Sequence, residues 1–348
     1  MSEDIVFSRD GVAGRILLNR PEVLNALNHG MIVKLQAQLN IWEADDAVRI
    51  IIIEGVGEKA FCAGGDIRAL YDSRPDNEKF CASFFADEYR LNMCIKSYSK
   101  PYISIMDGIV MGGGVGVSVS GSIRIATENT RCAMPETGIG FFPDVGGTYY
   151  LSCAPNNSGV YLGLTGNRMK AADAIYTGFA DKSVSSNCLS ELTSVLCNFD
   201  YSANIAQEIN ALIKPYEMDP GPAALKTLGM QNLDVFSKTS VEEICTELDK
   251  LRSDWSAQTL ENLRQKSPSS LKVTLKAINS ARELTFNECM AQEYRIALKM
   301  MKGNDIYEGI RALIIEKDGQ PDWQPNSLES ISKCFVDSHF QSLGEMEL

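Results

Sequence analysis

The chain has 348 residues, 45% of them hydrophobic, which is enough for one large domain or two smaller ones around a sizeable core. Its 33 basic and 45 acidic residues give a net charge of −12, which argues against a nucleic-acid partner because no basic surface is expected to neutralise phosphates. The chain has only two histidines and no Cys-x-x-Cys pair, which argues against a zinc site. Its ten cysteines are scattered, as is typical of reduced thiols in intracellular proteins.

The N-terminal residues predict no signal peptide. Met1 to Asp4 are polar and acidic, and the apolar core of a signal peptide is missing. The longest apolar run, at 50–53, is far shorter than a membrane span, so no membrane partner is expected. We expect a cytoplasmic protein if the source is bacterial, or a mitochondrial-matrix protein if a presequence has been removed.

Predicted strands and helices alternate through the first half of the chain. Strands are predicted at 15–19, 48–54, 102–106 and 122–126, and a helix at 78–97. Another helix is predicted after Leu27, from the helical spacing of Met31, Ile32, Leu35, Leu39 and Trp42. This order predicts an α/β fold with crossover connections, in which ligands usually bind at the carboxyl ends of strands.

The pattern changes near residue 160 and becomes mainly helical. Helices are predicted at 168–176, 186–215, 240–265, 269–301 and 304–317. Pro220-Gly-Pro222 is predicted to form a turn or a linker among them.

Two glycine-rich loops, at 55–66 and 107–116, each follow a predicted strand. Glycine has no Cβ, so Gly64-Gly65 and Gly112-Gly-Gly114 leave backbone N–H groups open to one ligand oxygen, as in an oxyanion hole. The alternative is that these glycines only permit tight turns. The second loop lacks the Lys-Ser/Thr of a P-loop and the Gly-x-Gly-x-x-Gly spacing, so no nucleotide cofactor is predicted.

A Ser–His–Asp or Cys–His mechanism lacks its base in this sequence. His29 is predicted to open a helix, His339 lies in the tail, and neither is near a nucleophile motif. Cys62, in the first glycine loop, is therefore expected to be a buried thiol.

Glu136 and Asp144 lie eight residues apart in an apolar segment that includes Phe141, Phe142 and Val145. Apolar surroundings disfavour the charged form of a carboxyl group and raise its pKa towards the range of a general acid or base. The alternative is a turn whose two acids cap helices. Together with the glycine loops and the scarcity of histidine, the pair suggests acyl chemistry carried out by carboxylates.

Three segments resemble the crotonase (enoyl-CoA hydratase/isomerase) superfamily in order and spacing. They are Ala60-Phe-Cys-Ala-Gly-Gly-Asp-Ile67, Gly108-Ile-Val-Met-Gly-Gly-Gly114, and Met134-Pro-Glu136 with Gly146-Gly147. The resemblance implies a spiral of ββα units, a CoA thioester substrate and an oxyanion hole made by the N–H groups of Gly65 and Gly113. It also implies substrate contacts from the loop residues Ala63, Gly64, Asp66 and Ile67.

The resemblance also implies how the chain is divided. Residues 1–190 would form the crotonase-like core with the active site, and residues 191–348 a mainly helical region packed on that core. A helix would begin at the second glycine loop. The sequence pattern alone favours a strand there, because Val115, Val117 and Val119 alternate with small residues, and at this point we follow the resemblance.

Position 116 departs from the hydratases of this superfamily, which carry a glutamate three residues after the oxyanion glycine, where this chain has Gly116. Asp144, in turn, stands where hydratases usually have a small residue. The chain also resembles hydrolases of 3-hydroxyacyl-CoA thioesters in the superfamily, in segments at 88–91, 112–116, 141–147, 267–275, 293–295, 321–323 and 339–340. The resemblance therefore implies hydrolysis of a thioester instead of hydration of a double bond.

Carried over by position, Glu136 would be the principal catalytic carboxylate, Asp144 its partner, Gly113 a substrate contact, and Glu88 a contact to the hydroxyl end of the substrate. For Glu88 the alternative is a solvated acid on a helix of mixed polarity. No cofactor is implied apart from the CoA of the substrate and product, and a homo-oligomer is left open. Two other functions stay open: a hydratase or isomerase of an unsaturated acyl-CoA, and a catalytically silent relative that binds partners.

Overall fold

The computed structural model describes residues 3–74, 78–344 and 348. Within that part of the chain, the strands are β1 (Ile5–Asp10), β2 (Ala13–Leu18), β3 (Ile50–Gly55), β4 (Ala60–Cys62), β5 (Tyr102–Met106), β6 (Ile109–Met111), β7 (Ile123–Ala126), β8 (Arg131–Ala133) and β9 (Lys182–Ser183). The α-helices are α1 (His29–Glu43), α2 (Ile67–Asp72), α3 (Glu78–Lys96), α4 (Gly113–Val119), α5 (Gly147–Cys153), α6 (Ser158–Thr165), α7 (Ala171–Thr177), α8 (Leu189–Asn198), α9 (Ile205–Ile213), α10 (Ala224–Gln231), α11 (Val241–Leu251), α12 (Asp254–Arg264), α13 (Pro268–Ala281), α14 (Phe286–Met300), α15 (Asp305–Ile310) and α16 (Lys333–Asp337). Short 3₁₀ helices cover Pro21–Val23, Glu136–Ile139, Ser186–Cys188, Lys214–Tyr216, Leu233–Ser237 and Ser338–Phe340, and a π-helix covers Arg311–Ile315.

The chain forms two compact units, each built from three separate segments. The first unit contains the residues up to 65 together with 90–132 and 169–224. Its six-stranded sheet has the order β1-β2-β3-β5-β7-β9, with an antiparallel β1–β2 pair and parallel pairing from β2 onward. A smaller sheet has the order β4-β6-β8, and β4 and β6 are parallel.

The centre of the larger sheet is buried on both faces. β3 begins with four consecutive isoleucines, Ile50 to Ile53, none of which has exposed surface. Ile50 and Ile52 belong to a cluster that includes apolar side chains of α8 and α9. Burying each such side chain contributes ~1.5–3 kcal/mol relative to leaving it in water.

The α1 helix begins where the sequence predicts it and buries the five predicted apolar side chains. The side chain of Asn28 accepts a hydrogen bond from the Met31 N–H at 2.9 Å, which satisfies one of the open donors of the first turn. Trp42, at the other end of the helix, packs against Gly14 of β2. The predicted helix and the predicted parallel strand that follows it are both confirmed.

The second unit contains 66–89, 133–168 and the residues from 225 onward, and its described part is helical. α13 packs against α5 and α6, and α15 packs against the 3₁₀ turn Glu136–Ile139. α14 starts with a capping box in which Thr285 and Glu288 bond to each other's backbone N–H groups. Among the described helices, none is both long and apolar enough to cross a membrane.

Three predictions about elements are corrected by the structure. The loops predicted at 55–66 and 107–116 contain the short strands β4 and β6. The strand that the pattern alone favours at 115–119 is wrong, because these residues belong to α4, which is buried on every side and so has no polar face to reveal a helical period. The long helices predicted from 186 onward are interrupted, for example at Ser253 and Thr285, whose side chains cap new helices.

The predicted division into 1–190 and 191–348 stays a prediction, and the compact units divide the chain in another way. The predicted boundary at 190 falls inside α8 of the first unit, and the second unit includes two segments that precede it.

Candidate active site

The two glycine loops lie in the first unit, and the parallel strands β4 and β6 lead into them. A Cβ added to Gly114 would lie 2.2 Å from the carbonyl oxygen of Cys62, so glycine is required for this approach. A Cβ added to Gly64 would lie 3.9 Å from the Gly113 nitrogen. The structure thus brings the two loops together, with Cys62 buried as predicted.

Gly113 is the first residue of α4, so its N–H has no carbonyl partner within that helix. The start of a helix also carries a partial positive charge, which favours a developing oxyanion. The helix that the resemblance implied is therefore present. All seven residues of α4 are buried and none carries a carboxyl group, since position 116 is glycine.

The remaining predicted contact residues follow β4. Ala63 donates its N–H to the Leu24 carbonyl at 3.0 Å, and Gly65 forms a parallel bridge with Leu27. Asp66 and Ile67 belong to the second unit, where Ile67 is the first residue of α2.

Four buried carboxyl groups belong to the second unit: Glu88, Glu136, Asp144 and Glu293. At most 6% of any of these residues is exposed. No Lys, Arg or His among the described residues forms an ion pair with any of the four. Burying acids without a cation is costly, and such groups are concentrated at functional sites.

Glu136 is the first residue of the 3₁₀ turn Glu136–Ile139. Burial, and next the negative charge of Asp144, raise its pKa well above the ordinary value. Its Oε2 atom is buried without a hydrogen-bond partner in the described part of the chain. The alternative in which Glu136 and Asp144 cap helices is wrong, because neither the 3₁₀ turn nor α5 has a side-chain cap.

Asp144 lies in the loop before α5. Burial raises the pKa of its carboxyl group to about 7. The hydroxyl of Tyr89 donates a hydrogen bond to Oδ2 at 2.6 Å, and this bond opposes the rise because it favours the ionised form. Asp144 is therefore poised to exchange a proton near neutral pH.

Glu88 lies on α3, one residue before Tyr89. Burial and then the charge of Asp144 raise its pKa well above the ordinary value, and Oε1 has no hydrogen-bond partner among the described atoms. The alternative of a solvated acid is wrong, because only 2% of the residue is exposed. Glu88 lies on the buried face of α3 with Phe84 and Leu91, and an acid within an apolar stripe was the sequence signal for its burial.

Aromatic rings line this part of the second unit. Phe85 of α3 stacks on Phe141 with ring centroids 5.7 Å apart, and Phe141 contacts Phe142 at 4.9 Å. The apolar surroundings predicted for Glu136 and Asp144 are therefore present, and they account for the raised pKa values of the acids.

Three buried residues had no assigned role in the sequence-based interpretation: Tyr89 and Glu293 of this region, and Asn92 of the first unit. Tyr89 donates to Asp144, and Glu293 accepts hydrogen bonds from the N–H groups of Gly146 at 2.7 Å and Thr148 at 3.0 Å. Burial raises the pKa of Glu293 to about 8. Asn92 of α3 is buried, and neither polar atom of its amide has a partner among the described residues.

Glu293 could have been found from the helical period of α14. It falls on the same face as the buried Phe286, Met290 and Ala297, where an apolar residue is expected. Tyr89 gave no comparable signal, since a buried tyrosine is ordinary and its partner is 55 residues away in the sequence.

Residues 13–340 match the sequence profile of the family described as enoyl-CoA hydratase/isomerase. The chain belongs to the enoyl-CoA hydratase/isomerase family. The predicted crotonase-like fold is confirmed, and so is the resemblance on which it was based.

Curated members of this family cover almost the whole chain. The protein named 3-hydroxyisobutyryl-CoA hydrolase, mitochondrial, from Xenopus tropicalis is 42% identical, and the match covers 99% of this chain and 90% of that protein. The protein of the same name from Homo sapiens is 39% identical, with 100% of this chain and 91% of that protein covered.

Solved structures of the enoyl-CoA hydratase/isomerase family superpose closely. A carnitinyl-CoA dehydratase from Mycobacterium thermoresistibile has a TM-score of 0.92 at 37% identity, and the match covers 99% of this chain and 98% of that one. An enoyl-CoA hydratase from Rhodobacter sphaeroides 2.4.1 has a TM-score of 0.91 at 34% identity, with 99% of each chain covered. Within one family and fold, the relatives thus carry the names of different reactions.

Proposed function

We propose that this chain hydrolyses 3-hydroxyisobutyryl-CoA to 3-hydroxyisobutyrate and CoA. The observation that carries the proposal is the pair of buried carboxyl groups Glu136 and Asp144, each with a raised pKa, while α4 contributes no acid. The names of the curated relatives that cover nearly the whole chain support the same reaction.

We assign the stabilisation of the thioester oxyanion to the N–H groups of Gly65 and Gly113. The start of α4 at Gly113 and the close approach of the two loops within the first unit support this role. We also assign substrate contacts to the loop residues Ala63, Gly64, Asp66 and Ile67, because the resemblance implies such contacts at these positions of the sequence.

Glu136 acts on the carbonyl carbon by one of two routes. In the first, its carboxylate oxygen bonds to that carbon, the C–S bond breaks, and CoA leaves as a thiolate that takes a proton from solvent. Water then adds to the Glu136 carbon of the resulting anhydride and gives a proton to Asp144, and the hydroxy acid leaves as a carboxylate. In the second, Glu136 removes a proton from water, and that water attacks the thioester directly.

Glu88 is assigned to the hydroxyl group of the substrate. Its Oε1 atom is buried without a protein partner in the described structure, so a substrate hydroxyl can donate to it. We expect Glu88→Gln to raise KM for hydroxylated acyl groups and to leave plain acyl thioesters little changed.

The test of the proposed function is a panel of acyl-CoA thioesters read by the release of free thiol. The wild-type chain should release CoA fastest from 3-hydroxyisobutyryl-CoA or 3-hydroxypropionyl-CoA, and Glu136→Gln should lose at least ~10²–10³ in kcat with an unchanged fold. The matched control is Glu283→Gln, an exposed acid on the same unit. Near-normal hydrolysis by the Glu136 variant would contradict the assignment.

A hydratase is the second candidate, because two closely superposed structures carry dehydratase and hydratase names. Crotonyl-CoA in the same panel discriminates the two, since hydration consumes the double bond and releases no thiol. Rapid hydration with no thiol release would replace our proposal. If neither reaction occurs, a catalytically silent binding protein becomes the interpretation.

Oxygen-18 water separates the two routes of hydrolysis. Label in the Glu136 carboxyl group after turnover supports the anhydride, whereas an unlabelled Glu136 after many turnovers favours direct attack by water. We propose that the reaction needs no cofactor beyond the CoA of its substrate. We also propose a location in the mitochondrial matrix, which the names of the mitochondrial relatives support, or in the cytoplasm if the source is bacterial.

A further inference from the structure

The loop that carries Asp144 has an unusual backbone. Val145 has a φ of +53° and Gly146 a φ of +84°. A β-branched residue in the left-handed region costs ~1–3 kcal/mol and persists only where its surroundings hold it. Gly146 is held closely from one side, since a Cβ there would lie 2.6 Å from the ring of Phe286 on α14.

Glu293 of α14 holds the same loop from within. Oε2 accepts the Gly146 N–H at 2.7 Å, and Oε1 accepts both the N–H and the hydroxyl of Thr148. With none of its surface exposed and no cation paired with it in the described structure, this carboxyl group depends on those three donors. Glu293 therefore fixes the backbone on the C-terminal side of Asp144.

The next residue of α14, Tyr294, acts on the Asp144 side chain through Tyr89. The ring of Tyr294 packs edge-on against Tyr89 with centroids 6.3 Å apart, and its hydroxyl donates to the Ala82 carbonyl of α3 at 3.3 Å. Tyr89, held in this way, donates its hydroxyl to Asp144 Oδ2 at 2.6 Å. Two adjacent residues of α14 thus act on Asp144, one through the backbone and one through Tyr89.

We propose that Glu293 and Tyr89 are positioning residues through which α14 fixes the backbone and the carboxylate of Asp144. This inference rests on the proposed hydrolase function, in which Asp144 accepts a proton from water. Neither residue needs to contact the substrate. The titratable groups that face Asp144 are Glu88 and Tyr89 from α3, Glu136 from the 3₁₀ turn, and Glu293 from α14.

Tyr89→Phe is the cleanest test, because it removes one hydroxyl and keeps the ring. We expect kcat to fall ~10-fold with KM within about twofold, and the acid limb of the pH profile to move up by about one pH unit, since the ionised form loses a charge-assisted hydrogen bond. The matched control is Tyr201→Phe, a buried tyrosine of the first unit that donates to the Leu196 carbonyl at 3.0 Å. The control should leave the acid limb in place.

Glu293→Gln tests the backbone route. Glutamine replaces one of the two acceptor oxygens with an NH2 donor, so in this geometry the N–H of either Gly146 or Thr148 faces a donor. We expect kcat to fall ~100-fold with KM little changed, whereas Glu283→Gln should behave as wild type. A purely structural role would lower the yield of folded enzyme and leave its kcat and pH profile unchanged.

A double-mutant cycle decides whether both effects pass through Asp144. In an Asp144→Asn background, Tyr89→Phe should have no further effect on kcat, and full additivity would overturn the inference. The titration of Asp144, followed as a pH-dependent infrared carboxyl signal that is lost in Asp144→Asn, should shift upward in Tyr89→Phe. This readout needs no turnover, so an inactive wild type would contradict only the proposed function, while an unshifted signal would contradict the inference.

Discussion

The negative charge of Asp144 raises the pKa of Glu136, so Glu136 and Asp144 do not titrate as independent groups. Burial raises the pKa of both, and the Tyr89 hydrogen bond limits the rise for Asp144. An acid that is half-protonated near neutral pH suits a group that takes a proton from water and returns it to solvent in each turnover.

The first prediction concerns the pH dependence of hydrolysis. Attack by Glu136 and proton acceptance by Asp144 both require ionised carboxyl groups. Because burial raises the pKa of Asp144 to about 7 and also raises the pKa of Glu136, kcat/KM for CoA release should fall as pH drops below about 7. Steady-state rates across the acidic and neutral range check this, and a rate that rises towards acid would contradict it.

The second prediction concerns stability at the same residue. The folded-state pKa of Glu136 is raised, so its contribution to stability is present below the unfolded pKa and is lost as pH rises through the folded pKa. Glu136→Gln stays neutral at every pH. Its Tm should therefore exceed that of wild type by a few degrees at pH 8, and the difference should vanish in acid.

Scanning calorimetry of both proteins measures that difference, with Glu283→Gln as the exposed control. An equal Tm at pH 8 would show that Glu136 is solvated. A more stable but inactive variant is the usual sign of a group retained for function at the expense of stability.

Part of the site could be predicted at the scale of single residues. Glu136 and Asp144 are close in sequence, and the apolar residues around them predict that both are buried. Glu293 is recruited to this region from about 150 residues further along the chain. The hydrogen bonds from Gly146 and Thr148 to Glu293 depend on how α14 packs, so no local sequence pattern predicts them.

Secondary-structure elements were also only partly predictable from the sequence. Long strands and helices with a clear period, such as β3 and α1, were predicted closely. β4 and β6 have three residues each and lie among glycines, so the alternation of buried and exposed residues is too short to predict a strand. α4 was misread because a helix buried on all sides loses the polar face on which a period depends.

The third prediction belongs to α4 and β4. Gly114→Ala should place a Cβ against the Cys62 carbonyl and force one element to move, at a cost of roughly 1–3 kcal/mol. Activity should fall further than stability does, because Gly113 begins the same helix. Chemical denaturation together with kcat measures both effects.

Gly30→Ala is the control for this substitution. Gly30 is exposed in the first turn of α1, where alanine favours the helix. We expect that variant to match wild type or to exceed it slightly in stability. If Gly114→Ala is also as stable as wild type, α4 and β4 leave room for a Cβ at position 114, which contradicts their close approach.

At the scale of the whole molecule, the four buried acids make stability depend on pH. Burial raises the pKa of Asp144 to about 7 and that of Glu293 to about 8, so the stability that their neutral forms provide is lost as pH rises through this range. With only two histidines in the chain, few other groups titrate there.

The fourth prediction is that the free energy of unfolding falls from about pH 4, near the unfolded pKa of a carboxyl group, to about pH 8, the folded pKa of Glu293, and that salt does not abolish the fall. Repulsion among surface charges is screened within ~3 Å at 1 M salt, whereas buried groups are screened much less. Urea titrations at low and at high NaCl concentration test this. A pH dependence that disappears in 1 M NaCl would assign it to the surface net charge of −12 instead.

The interleaving of the two units has a consequence for how the protein is made. The first unit is complete once residue 224 has left the ribosome, whereas the second needs 66–89 and 133–168 together with everything from 225 onward. Asp144 is therefore translated well before Glu293 and Tyr294, the residues of α14 that hold it. During synthesis the loop that carries Asp144 therefore lacks these partners until α14 has been translated.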